Sequence, residues 1–117
     1  MSDNGVRANP DAGCPAELVA DQRRIAVRHV GFDGALHDGV IEVHRAAATD
    51  VAHFFARALE LQYPIDEVVP ASAYAWDDDA LMAANRTSGF NFRTVAGRRH
   101  LSMHSFGLAF DVNPLLM

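Results

Sequence analysis

The sequence predicts an α+β domain: a small, mainly antiparallel sheet with helices packed on it. Three observations carry that expectation. An apolar period of helical spacing runs from Val51 to Leu59. Alternating, strand-like runs flank it, Val40–His44 before and Phe90–Val95 and Leu108–Val112 after. Gly, Pro, Asn and Asp divide the remainder into short pieces, and strands mixed with few helices in that order suit an α+β layer rather than a parallel doubly wound sheet.

Taken in order, residues 1–19 read as a flexible lead-in, polar and rich in Asn, Asp, Gly and Pro near the start, and residues 20–117 as the domain. Gly31-Phe32-Asp33-Gly34 is a turn, and Val40–His44 follows as a strand. The clearest helix begins at Thr49, with Thr49 as N-cap and Asp50 in the first turn. Val51, Phe54, Phe55, Ala58 and Leu59 fall on one face and Arg57 and Glu60 off it, until Pro64 stops the helix. Ile65–Val69 reads as a strand closed by Pro70. Asp77-Asp78-Asp79 suits the N-terminus of a short helix; a calcium loop would need alternating ligands and a Gly turn, which this run lacks. Phe90–Val95 and then Leu101–Val112 complete the expected sheet.

Composition excludes several classes. The 117 residues suit one domain. With 15 acidic against 10 basic residues the net charge is −5, which makes nucleic acid a poor default partner. Cys14 is the single cysteine, so neither an internal disulfide nor a cysteine-based metal site is available. The first residues have no apolar core of a signal peptide, and no window approaches the roughly 18 apolar residues of a membrane span. The expectation is synthesis in the cytoplasm with an export route not written in the sequence.

The stretch that carries chemistry is Leu101 to Pro114. Its tail alternates, with Leu108, Phe110 and Val112 on a core face and Gly107, Ala109, Asp111 and Asn113 on the other. Small residues beside a carboxylate leave room above the strand at Asp111. His104 and Asp111 are an odd number of residues apart, which in one unbroken strand puts them on opposite faces. A bend at Ser105-Phe106-Gly107 would let both reach one zinc ion, each ligand bond being about 2.0–2.2 Å. The spacing alone fits a histidine satisfied at a strand end and a turn-forming Asp equally well.

The wider string, Ser102-x-His104-x-x-Gly107-x-Ala109-x-Asp111, resembles the signature of the zinc D-alanyl-D-alanine carboxypeptidases and L-alanyl-D-glutamate endopeptidases, the VanY-like family with the hedgehog/DD-peptidase fold. Asn85-Arg86-Thr87-Ser88-Gly89-Phe90-Asn91-Phe92-Arg93 resembles that family's second motif, and Phe32-Asp33-Gly34, His37-x-Gly39, the strand to His44 and Tyr63-Pro64-Ile65 are similar to one branch of it, which includes bacterial cell-wall peptidases and phage lysins. The resemblance spans about residues 20–117. It implies a zinc hydrolase that cuts peptidoglycan stem peptides at the cell wall. His104 and Asp111 would be two of three zinc ligands. Arg93 would face the substrate and stabilise developing negative charge, and Ser102 would help hold the peptide. Read without the resemblance, Arg93 is also a surface cation on a strand and Ser102 a turn residue.

The family's third ligand and general base belong to a further C-terminal stretch with a strand of its own. The chain ends at Met117, so both are expected to be absent and the domain to be incomplete. No other histidine is an obvious substitute. His100 would stand roughly 13 Å from His104 in extended chain. His53 lies beside the helix stripe, and nothing in the sequence brings His29, His37 or His44 to Asp111. The resulting expectation is a truncated or incomplete peptidase. The alternative is an inactive relative that keeps a cell-wall peptide-binding groove.

Overall fold

The computed structural model describes residues 4–92 and 103–116. The element order is α1 (Ala16–Ala20), β1 (Gln22–Val30), β2 (Leu36–His44), α2 (Ala48–Glu60), β3 (Glu67–Val68), α3 (Asp78–Ala83) and β4 (Arg86–Thr87), with single 3₁₀ turns between and after them. This is an α+β domain.

β1 and β2 form an antiparallel hairpin in which Gln22 pairs with His44, Ile25 with Ile41 and Val30 with Leu36. The turn expected at Gly31–Gly34 connects them: Gly34 takes a positive φ of 79°, and the Gly31 amide donates to the Ala35 carbonyl. β1 is absent from the sequence expectation above, although Ile25, Val27 and His29 alternate with Arg24, Ala26 and Arg28 along it. The second sheet differs from expectation too. β3 shortens Ile65–Val69 to two residues, and it pairs with β4 in parallel. The chain between them passes through α3, the kind of crossover a parallel pair requires.

α2 lies on the hairpin. Val51, Phe55 and Ala58 from α2 share one core with Val27, Ile41, Val43, Ile65 and Val68. Its start differs from the expected Thr49 cap. The His44 side chain takes the capping role ahead of it, Nδ1 accepting from the Ala46 amide at 3.0 Å. A 3₁₀ turn then feeds the helix at Ala48. Pro64 is not what stops it. Gln62 adopts φ 53° and the Tyr63 amide reaches back to the Ala58 carbonyl, a left-handed C-terminal cap formed ahead of the proline. The aspartate run behaves as its charge suggests, Asp77 Oδ1 capping the Ala80 amide at 3.1 Å.

The expected stripe placed Phe54 and Phe55 together in the core, but Phe55 is 1 % exposed and Phe54 39 %. Phe54 instead rests edge-on against Phe55 and Phe110. Phe55→Ala is therefore expected to cost about 3–5 kcal/mol in a denaturant melt, and Phe54→Ala clearly less. Equal losses would mean that α2 is rotated from this packing.

Residues 4–15, expected as a flexible lead-in, pack onto the domain. Val6 is 2 % exposed and forms a second core with Phe90 and Phe92, edged by Ala8, Ala12, Cys14, Leu18 and Val19. The Asn4 side chain donates to the Val19 and Gln22 carbonyls. A buried valine and an asparagine amide with two carbonyl partners thus help dock a segment whose composition reads as loop.

Candidate metal centre

The two motif runs lie side by side. Ser88 and Asp111 form an antiparallel bridge, with reciprocal amide–carbonyl bonds of 3.2 and 2.9 Å, and the Asn91 amide donates to the His104 carbonyl at 2.9 Å. Among the described residues no longer ladder forms between them. Phe90–Phe92 is not a strand because its amides serve different neighbours: Phe90 donates to Glu42 and Asn91 to His104. Nor is Leu108–Val112 a continuous strand, because the Leu108 amide is used in closing the preceding turn onto the Met103 carbonyl. Leu108 is accordingly exposed, while Phe110 and Val112 still pack on the main core.

The bend between His104 and Asp111 is built from a 3₁₀ turn over Met103–Phe106 and Gly107 at φ 73°. Gly107 is also tightly surrounded. Its carbonyl accepts from the His44 amide at 2.9 Å, and a Cβ there would run into Gln22 Oε1 and come within 2.6 Å of the His44 nitrogen. The Gln22 side chain, fully buried, donates to the Phe106 and Leu18 carbonyls and so ties the bend to β1.

This bend brings the two expected ligands together. His104 Nε2 stands 3.4 Å from Asp111 Oδ2, inside the roughly 4.5 Å expected for two ligands of one zinc. His104 Nδ1 lies 2.9 Å from the Gly89 carbonyl. A carbonyl only accepts, so Nδ1 carries the proton and donates it. The ring then turns Nε2 toward a carboxylate oxygen. Two acceptors facing each other at that distance are satisfied by a proton on Nε2 or by a cation held between them. A ring nitrogen fixed by a backbone carbonyl, with the other nitrogen directed at a carboxylate, has the second-shell pattern of a metal-binding histidine. His104 is mostly buried, and Asp111 is 44 % exposed on the open side. Beside Asp111 lies a cleft of about 360 Å³ walled by Met82, Phe110, Val112 and Pro114.

Two supporting residues were not anticipated. Gly89 supplies the carbonyl that orients His104. Asn113, at φ 46° and 3 % exposed, locks the far side of Asp111: its Oδ1 accepts from the Asp66 amide, its Nδ2 donates to the Pro64 carbonyl and its own amide donates to Thr87 Oγ1. An Asn two residues after the motif carboxylate is a residue type that tolerates left-handed φ, which is the signal the sequence offers.

Arg93, Ser102 and His100 lie outside the described residues. The other histidines have local roles. His29 is buried with Nδ1 on the Ile65 carbonyl, His37 pairs with Asp33 at 3.0 Å, His44 caps the turn before α2 and faces Asp21 at 3.8 Å, and His53 is exposed on α2. The His37 hydrogen bond holds the Asp33 carboxyl below its usual range. Among the described residues no third His, Cys, Asp or Glu joins His104 and Asp111. The donor types fit zinc, and their number is one short of the three protein ligands usual in a catalytic site. Compared with known proteins, the chain matches no family model, no curated protein and no solved structure.

Proposed function

We propose that this chain is a zinc metallopeptidase domain of the VanY-like, hedgehog/DD-peptidase type. Its substrates would be peptidoglycan stem peptides at the bacterial cell wall, cut at D-Ala-D-Ala or L-Ala-D-Glu bonds. The observation that supports this most directly is the His104–Asp111 pair, with Nε2 and Oδ2 at 3.4 Å and Nδ1 anchored on the Gly89 carbonyl. In this reading His104 Nε2 and Asp111 Oδ2 hold the metal, and Gly89 keeps the proton on Nδ1 so that Nε2 stays available. Zinc bound there would supply Lewis-acid polarisation of the scissile carbonyl and a water of lowered pKa. Arg93 would meet the negative charge of the substrate or of the oxyanion, and Ser102 would hold the peptide backbone. The cleft beside Asp111 is lined by apolar side chains, which suits small methyl-bearing residues. No described helix is long and apolar enough to cross a membrane.

The ligand count favours keeping a second reading, a catalytically inactive relative that binds cell-wall peptides. Zinc stoichiometry separates the two. For a peptidase domain, calorimetric titration of the purified chain should show one zinc per chain, bound weakly, with His104→Ala lowering the affinity at least about tenfold. For a binding module, no zinc binds and stem-peptide binding persists in chelator. That second outcome would overturn the proposal.

A further inference from the structure

Residues 4–15 form a strap across the face of the β1–β2 hairpin opposite α2. On that face Arg24 of β1 stands opposite Glu42 of β2. Glu42 points away from the main core that its neighbours Ile41 and Val43 enter, yet it is 1 % exposed. Neither of its carboxylate oxygens has a hydrogen-bond partner. Arg24 pairs with it, Nη1 at 3.6 Å from Oε2, and that same nitrogen donates to the Gly5 carbonyl of the strap at 3.1 Å. The strap is further held by Asn4 on Val19 and Gln22, by Trp76 Nε1 on the Arg7 carbonyl at 3.2 Å, and by Val6 in one core cluster with Phe90 and Phe92.

We infer that the strap is a pH-sensitive clamp: it is seated over the neutral Glu42 carboxyl and is released more readily when that carboxyl is ionised. A charged carboxylate buried without donors is strongly disfavoured, and lifting the strap returns it to water. The charged groups facing Glu42 among the described residues are Arg24 from β1 and Arg7 from the strap; the Gly89–Phe92 segment contributes none. Burial pushes the Glu42 carboxyl up to about 7 from an ordinary 4.5, against the pull of both arginines. An acid whose pKa is raised by folding keeps its proton in the closed state between those two values, while the opened state has lost it. The closed state is therefore most favoured at low pH, loses stability as pH rises from about 4.5 to about 7, and levels off above. What the strap covers is the Phe90–Phe92 segment, adjacent to the Gly89 carbonyl on which His104 rests.

Hydrogen–deuterium exchange tests this, with protection expressed relative to the unstructured rate at the same pH. For the wild-type chain, protection of a 4–15 peptide should fall on the order of 10²-fold between pH 5 and pH 8. A peptide from α2 should change much less, and Glu42→Gln should remove the fall. The inference is overturned if strap protection is unchanged over that range, if α2 loses protection equally, or if the fall persists in Glu42→Gln. Should that variant fail to fold, the wild-type comparison of strap with α2 decides alone.

Discussion

Gly107→Ala is expected to destabilise the domain by about 2–5 kcal/mol and to abolish the proposed zinc binding at His104 and Asp111. Two effects add. An L-residue at φ 73° carries left-handed strain of about 1–2 kcal/mol. The new methyl also meets Gln22 Oε1 and the His44 amide nitrogen, and so pushes apart the side chain and backbone that hold the bend to the hairpin; overpacking of this kind costs about 1–3 kcal/mol. Against a total stability of roughly 5–15 kcal/mol this is a large fraction. Urea unfolding of the two chains measures it. A loss under about 1 kcal/mol would mean that the bend sits less tightly on Gln22 than described.

The second large effect concerns turnover. Supplied with zinc, the 117-residue chain is expected to hydrolyse peptides ending in D-Ala-D-Ala, or containing L-Ala-D-Glu, at far below the roughly 1 per second of an ordinary enzyme. Among the described residues two side chains converge where a catalytic zinc has three protein ligands. Among the described residues no carboxylate beyond Asp111 stands with them to take the proton of the attacking water, and such a base is typically worth about 10²–10⁴-fold. Turnover at a normal rate that is lost in His104→Ala would place a third ligand elsewhere. His100→Ala, His37→Ala and His44→Ala would then be tested in turn, with a mixing experiment for a histidine supplied by a second copy.

Several features follow from the sequence because they depend on residues within about a turn of one another. The α2 stripe is one, since Val51, Phe55 and Ala58 share a helical face in any context that buries it. The Asp77 cap is another, a contact with an amide three residues on. The turn at Gly107 is a third, because glycine accepts the left-handed φ of 73° that bends the chain there.

The features that needed tertiary structure join distant residues or decide which of two apolar neighbours is buried. Phe54 and Phe55 look alike in the pattern, and the position of the hairpin alone puts Phe55 inside. β3 and β4 are too short to carry a period, and their pairing follows from the α3 crossover. Gln22 reaches Phe106 across 84 residues, and His104 finds its carbonyl on Gly89, which has no side chain to announce the role. Residues 4–15 read as loop because loop composition reports only the lack of local order. Whether such a segment docks is decided by what lies opposite, here Phe90, Phe92 and the Glu42 face of the hairpin. Nothing in the Val40–His44 strand pattern marks Glu42 as buried, and its burial is decided by what packs on that face of the hairpin.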